Sequence, residues 1–356
     1  MDPLCHTLVG TTLAARFRER TWGAATTVVV AANLPDLDVL AYAWGSDAAL
    51  GFRRGWTHGV LALAVWPLLL TAAVWAWGRW RGAEGLHPGR LLGLAVLALL
   101  THPALDWLNT YGMRWLFPFD ERWSYGDTLF IVDPWMWLIL GGASFLAWSR
   151  SRRAVAAWAA LAVVASVPVL LAPTLPAGAR LAWVGGLAGL ALARRFVGPV
   201  GVAARHRIAM AGLLVASLYV AGTWLAHAVA VDRVRAVAAE GEVFAGPLPA
   251  APLLWDVLVI TADGYRPGRL HPGGTVELRS EAIPRNADDP RVAAALATPC
   301  VAGMVRWMRY PFFVIEEGRQ ETLVHVLDAR YVRAPDSGFG GTAVVLGPNG
   351  RPRDCR

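Results

Sequence analysis

Leu91-Leu-Gly-Leu-Ala-Val-Leu-Ala-Leu-Leu-Thr-His102-Pro-Ala-Leu-Asp106-Trp-Leu108 is close to the length of apolar helix, about 20 residues, that crosses the hydrocarbon core of a bilayer. It nevertheless carries an imidazole and a carboxylate, which are costly in hydrocarbon unless they find partners. Their four-residue separation puts His102 and Asp106 on one helix face, a turn apart, where both can reach a common ion. The expected element is a membrane helix with chemistry at one end.

Comparable apolar windows lie at 57–78, 129–148, 154–173, 179–196 and 208–230, which with 91–108 predicts six spans. Upstream, residues 3–15 and 22–32 are apolar but only about half a normal span. They flank Arg16, Arg18 and Arg20 and predict a hairpin of short or tilted helices. Pro35 predicts a stop after Leu34, with Asp36 and Asp38 converging in a turn at a bilayer surface. Beyond Asp232 the chain turns polar and Pro/Gly-punctuated, with strand-like runs at 253–261, 312–316 and 322–327. The expected fold class is mainly α: a polytopic transmembrane helical bundle over residues 1–231, then a small C-terminal β-rich (α+β) soluble domain over 232–356.

Composition agrees, since 56% of the 356 residues are hydrophobic and 17% charged, with a mean hydropathy of +0.42. The net charge of +7 is gathered in short Arg clusters between apolar runs, which reads as a topology signal and not as a nucleic-acid surface. Arg79, Arg81 and Arg90, then Arg150, Arg152 and Arg153, then Arg194, Arg195, Arg205 and Arg207 mark the cytoplasmic side. Thr110–Thr128 and everything after Asp232 then fall outside. The start of the chain has neither a basic n-region nor a small-residue cleavage site, so no cleavable signal peptide is expected. None of the three cysteines forms a CxxC pair, which argues against a thiolate zinc site. Cys5 reads as a small buried residue. Cys300 and Cys355 are either a disulfide in an oxidising compartment or two free thiols.

On this topology His58, His102, Asp106, Asp127 and Asp133 reach one membrane level, near Asp36 and Asp38. With His6 they form a candidate metal set: His6, Asp36, Asp38, His58, His102 and Asp106. Imidazole and carboxylate without thiolate suit zinc, manganese or iron. Asp38, Asp127 and Asp133 are candidate catalytic carboxylates, as general base or as the group that orients a ligand histidine. Arg54, Asn109 and Arg122 are candidates to hold phosphate oxygens. Simpler roles compete: Asp133 can cap the helix that Pro134 opens, and His102 with Asp106 can be a structural hydrogen-bonded pair. His87, His206 and His227 are expected to have no chemical role.

In order, Met1-Asp-Pro-Leu-Cys-His6, Asn33-Leu-Pro-Asp-Leu-Asp38, Arg54-Gly-Trp-Thr-His58, His102-Pro-Ala-Leu-Asp-Trp-Leu-Asn-Thr-Tyr-Gly112 and Asp127-Thr-Leu-Phe-Ile-Val-Asp-Pro134 resemble a family of membrane-bound metal-dependent hydrolases. That family includes the LexA-regulated inner-membrane proteins of bacteria. Arg306-Trp-Met-Arg-Tyr-Pro-Phe-Phe313 and Asp328-Ala-Arg-Tyr331 resemble it more loosely. More remotely, the order His, Asp, His, His-x-x-x-Asp is similar to the zinc-dependent phospholipase C and single-strand nuclease superfamily. The resemblance implies two ions, zinc first, with Asp106 bridging them. It also implies a multi-pass protein of a bacterial cytoplasmic membrane, hydrolysing a phosphoester of a lipid or lipid-linked substrate at the outer face. The chain departs from the phospholipase pattern after Asp106, where no His/His/Glu group follows, and has Cys5 where Thr is expected. An ion- or proton-coupled transporter, or a scaffold with a structural metal, are the competing classes. A transporter would place such groups near the midplane in related halves, and no duplication is evident.

Overall fold

The protein is described by a computed structural model covering residues 1–173, 175–238, 240–335 and 339–355. It divides into two compact units.

The first unit comprises residues 1–37, 54–226 and 247–252. Its helices are α1 (Pro3–Phe17), α2 (Ala24–Asn33), α4 (Val60–Trp80), α5 (Pro88–Trp107), α6 (Pro134–Trp148), α7 (Arg152–Leu171), α8 (Ala177–Val197) and most of α9 (Val202–Val237); α3 (Ser46–Phe52) belongs to the second unit. Local chemistry starts several of them. Asp2 caps α1 by accepting from Cys5 N, Ser151 caps α7, and prolines open α1, α5 and α6. Small residues let α1 and α2 approach closely. A Cβ on Gly10 would lie 2.9 Å from Val29 Cα and 3.1 Å from Ala32 Cβ.

Among the described residues, five helical runs are long and apolar enough to cross a membrane: Ala24–Trp44, Val60–Trp80, Pro88–Trp107, Arg152–Leu171 and Val202–Val237. Large apolar side chains such as Leu68, Val163, Leu171, Leu214 and Leu218 are exposed on them, as lipid-facing surfaces require. The expected set of spans needs three corrections. Residues 24–44 form one 21-residue run, because Pro35 opens a 3₁₀ helix, Leu34–Trp44, in place of ending the helix in a turn. The 129–148 window yields only the 15-residue α6, with Asp133 as its N-cap. The 179–196 window is helical but lies outside the membrane-length apolar set, and α8 carries Arg180, Arg194 and Arg195.

The second unit comprises residues 38–53, 227–246 and 253–356. The three strand-like runs expected at 253–261, 312–316 and 322–327 appear as β2, β6 and β7, and further strands lie before, between and after them. One antiparallel sheet runs β1 (Glu242–Leu248), β2 (Ala251–Ile260), β3 (Gly264–Leu270), β4 (Val276–Leu278), with β5 (Ile283–Pro284) also on β3. A second runs β6 (Pro311–Glu317), β7 (Thr322–Asp328), β8 (Gly341–Leu346), β9 (Pro352–Cys355), with Phe312 opposite Leu327. Helices α10 (Pro290–Leu296) and α11 (Ala302–Trp307) precede it. Phe244, Leu258, Tyr265, Tyr310, Phe312 and Leu327 form a core cluster. The Asp328 carboxylate accepts from Arg309 N, Arg330 N and the Arg330 guanidinium, which lies near the rings of Trp307 and Tyr331. Both C-terminal motifs therefore build this core. Asp47, at the start of α3, accepts from Gly303 N and Met304 N at 2.9 Å each and caps α11. Cys300 and Cys355 form a disulfide.

Two substitutions test these contacts. Gly10→Val overpacks the α1–α2 contact and should cost about 1–3 kcal/mol; because Cys5 is a buried free thiol, the temperature at which a maleimide dye reaches it should fall. Cys300→Ser opens a crosslink with a sequence separation of 55. The second unit should lose up to about 4 kcal/mol, read as earlier proteolysis.

Candidate metal centre

The two motif residues of α5 meet partners from three other segments. Among the described residues, His6, Asp36 and His102 form one group able to hold a metal ion, and His58, His102 and Asp106 form another. His6, His58, His102 and Asp106 are all fully buried. His58 Nε2 lies 3.1 Å from His102 Nε2 and 3.2 Å from Asp106 Oδ2, and His102 Nε2 lies 3.5 Å from the same oxygen. His6 Nε2 faces the other carboxylate oxygen, Oδ1, at 3.2 Å. Asp36 Oδ1 is 3.8 Å from His102 Nε2. Ligands about 2.0–2.1 Å from a tetrahedral zinc stand roughly 3.3 Å from one another, so the cluster already has ligand–ligand spacing.

Each piece has a local cause. Pro35 has no N–H to offer the Ala32 carbonyl three residues back, and that carbonyl accepts from His102 Nδ1 at 2.7 Å. A carbonyl only accepts, so Nδ1 carries the proton and Nε2 turns its lone pair to the cluster. Thr57 Oγ1 lies 2.9 Å from His58 Nδ1. Among the described residues the Nδ1 of His6 has no hydrogen-bond partner, and its ring stacks on that of His102 at 3.6 Å. The donors are imidazoles and carboxylates, and a buried imidazole nitrogen is left over. This chemistry fits a divalent metal ion.

Arg54 is buried and sits at a left-handed φ of 53°. Its guanidinium donates to Asp106 Oδ1 and to the carbonyls of Asp106 and Gly112, and also to Asn109 Oδ1, while stacking on Tyr111. Asn109 Oδ1 also accepts from Tyr111 N. These two candidate phosphate holders thus fix Asp106 and the turn after α5. The Met1 α-amino group also contacts Asp106 Oδ1. Arg122, with its side chain 87% exposed, pairs with Asp120.

The candidate carboxylates separate in the same way. Asp38 is buried and accepts from Arg53 Nε at 3.1 Å, Asp36 alone of the pair joining a metal-capable group. Asp133 accepts from Trp135 N and Met136 N, and from the Tyr219 hydroxyl, as the cap reading expects. Asp127 is buried at a left-handed φ of 54°. Its neighbours Gly126 and Thr128 donate their N–H groups to the Trp107 and Leu108 carbonyls, pinning it beside the end of α5.

Residue types alone do not announce the Ala32 carbonyl or the orienting role of Arg54. The Thr preceding His58 is a signal that the sequence does carry. Arg114 is another such find, fully buried against Phe117 and Trp123.

Helices that cross a membrane and buried His/Asp groups able to hold a metal ion define a multi-pass membrane protein with a candidate metal centre. Residues 1–175 match the family described as YdjM inner membrane protein. That stretch contains every residue of the centre. The chain is also similar to the uncharacterized protein YfhP of Bacillus subtilis (strain 168), 25% identical over 104 residues. The match covers 29% of this chain and 30% of that protein, less than a third of the relative's length. No solved structure matches the chain.

Replacing Arg54 separates its two contributions. Arg54→Met leaves Asp106 short of its countercharge and should cost about 3–5 kcal/mol of stability. Arg54→Lys keeps the charge but loses the planar fork, and metal affinity measured by chelator competition should fall about 10–100-fold.

Proposed function

We propose that the chain is a membrane-embedded metal-dependent hydrolase, acting on a phosphoester of a lipid or lipid-linked substrate at the outer face of the cytoplasmic membrane. The observation that carries this reading is the buried convergence of three imidazoles and a carboxylate at ligand–ligand spacing. Such groups are expensive within membrane helices and are retained there for function.

His6, Asp36, His58, His102 and Asp106 would hold the metal, for which zinc suits the donor set, with manganese or iron next. Asp106 divides its oxygens, Oδ1 towards His6 and Oδ2 towards His58 and His102, which suits a carboxylate shared between two ions. A bound divalent ion supplies a water of lowered pKa and neutralises charge on the phosphate. The Ala32 carbonyl keeps His102 in the ligating tautomer, and Arg54 holds the Asp106 carboxylate in place. Asp127, pinned against the end of α5, is the carboxylate proposed to take the proton from water. Hydrolysis then adds water across a P–O bond, leaving an alcohol and a phosphate with one more free oxygen.

The outer-face assignment is supported by Arg79, Arg81 and Arg90 at the α4–α5 connection and by the Cys300–Cys355 disulfide, since disulfides persist in oxidising compartments. A periplasm-active reporter fused after Asp232 should light up. Activity of a cytoplasm-dependent reporter at that position would reverse the orientation.

The decisive measurement is metal content by elemental analysis of detergent-purified protein, wild type beside His102→Ala with Asp106→Ala. About two equivalents of zinc or manganese are expected, lost in the variant. With metal in hand, Asp127→Asn should lower phospholipid hydrolysis about 10²–10⁴-fold while metal content stays. Wild-type protein that takes up none of zinc, manganese and iron on reconstitution would exclude the hydrolase.

A further inference from the structure

The segment that carries His58 is locked to a turn in the connection between α5 and α6. Arg114 N donates to the Arg54 carbonyl at 3.2 Å, and Val60 N to the Trp115 carbonyl at 2.9 Å. Gly55 lies against the Arg114 guanidinium, where a Cβ would come within 2.6 Å of Nη2, and Gly59 lies against the Phe117 carbonyl. The Trp56 ring meets that of Phe117 edge-on, with centroids 4.9 Å apart. Phe119 N and Asp120 N close the turn by donating to the Leu116 carbonyl at 2.9 and 3.2 Å.

This fixed backbone turns three large apolar side chains outward. Trp56, Leu116 and Phe119 are 53%, 54% and 75% exposed, while Arg114 and Phe117 between them are buried. An exposed apolar patch rimmed by polar residues marks a contact with a protein or with a membrane, and here position decides which. Val60 opens α4, one of the runs of membrane length, so its bond to Trp115 holds the turn where that run enters the bilayer. Val60 and Leu61, the first exposed apolar side chains of α4, carry the patch on into surface that lipid already covers. Asp120, Glu121 and Arg122 follow Phe119, and Arg122 is exposed, as suits a segment passing from hydrocarbon to headgroups. Trp favours the same boundary. Irregular backbone is not tolerated against lipid deep in hydrocarbon, so the turn stops at that level.

We propose that Trp56, Leu116 and Phe119 form a rigid wedge that enters the lipid leaflet on the metal-centre side, as far as the boundary between headgroups and acyl chains. Insertion needs no chemistry at Asp106. One consequence does rest on the hydrolase reading: the wedge sets His58, in the same segment as Trp56, at the depth of a phospholipid phosphate. The enzyme would then select lipid in a membrane over a water-soluble phosphoester.

The test places a bimane fluorophore on the full chain through Leu116→Cys or Phe119→Cys, in a Cys5→Ala background, in phosphatidylglycerol vesicles. A fraction of the lipid is brominated at the headgroup end of its acyl chains. Bromolipid should quench emission at both positions and leave the same probe at Arg122→Cys bright, with iodide in the water giving the reverse order. Equal quenching at all three positions, or stronger iodide quenching at 116 and 119, would overturn the wedge. Should those variants fail to fold, the wild-type chain photolabelled by a lipid carrying a diazirine at the same depth decides the matter: label on residues 115–119 is expected, and its absence there overturns the proposal. Leu116→Asn with Phe119→Asn should raise KM for phospholipid in vesicles about tenfold. An unchanged KM in the folded double variant removes the part in substrate selection. Wild-type protein that hydrolyses no phospholipid defeats the hydrolase reading and leaves the quenching order to decide the wedge.

Discussion

An ionised carboxylate inside an apolar helix bundle is stable only where other groups replace its hydration, and Asp106 is surrounded by such groups. His6 comes from α1, Arg54 and His58 from the segment before α4, and His102 from the turn before it on α5. Three stretches far apart in sequence are thereby held to one point. Much of the first unit's local structure follows from serving that convergence. Gly10 brings α1 against α2, and Pro35 leaves the Ala32 carbonyl to His102. Arg54 takes up a left-handed backbone conformation and anchors the turn after α5 through the Asn109 side chain and the Gly112 carbonyl.

How much of this was legible in the sequence depends on whether a feature is periodic or contextual. The i,i+4 pair His102 and Asp106 on an apolar helix is a local pattern, and the structure keeps it on one face. The gathering of Asp36 and His58 around it was legible through topology, since charge asymmetry put them at one level, whereas His6 was legible only through its place in the ordered motifs. Arg54 was legible as a candidate site residue, but its hydrogen bonds to Asp106, Asn109 and the Gly112 carbonyl were not. The Asp36-Leu-Asp38 pair shows the same limit, because only burial and partners distinguish a metal-capable carboxylate from one engaged by Arg53. Pro35 misled in a specific way. A proline stops α-helical bonding, but it is a good first residue for a 3₁₀ turn, and the apolar run carries on to Trp44.

The C-terminal unit shows the opposite balance. Three of its strands, β2, β6 and β7, follow from apolar runs in the sequence, but its polar motifs do not advertise that they are structural. Asp328 and Arg330 are fully or nearly fully buried, and their hydrogen bonds tie the loop before β6 to the end of β7. A buried ion pair that also satisfies backbone N–H groups fixes chain geometry more than it adds stability. Cys300 and Cys355 were undecidable from spacing, because their meeting requires β9 to close the second sheet beside β8.

Both metal-capable groups contain His102, and this shared membership constrains the centre. An imidazole can serve two ions only through its two nitrogens, and Nδ1 of His102 is already given to the Ala32 carbonyl. His102 therefore has one lone pair, on Nε2, to offer one ion. A second ion would be reached through His6 and Asp36 or through a ligand with two donor atoms. Asp106 has them, with one oxygen towards His6 and the other between His58 and His102. If two ions share Asp106, as proposed, the orientation of that single carboxylate, which Arg54 holds, decides it.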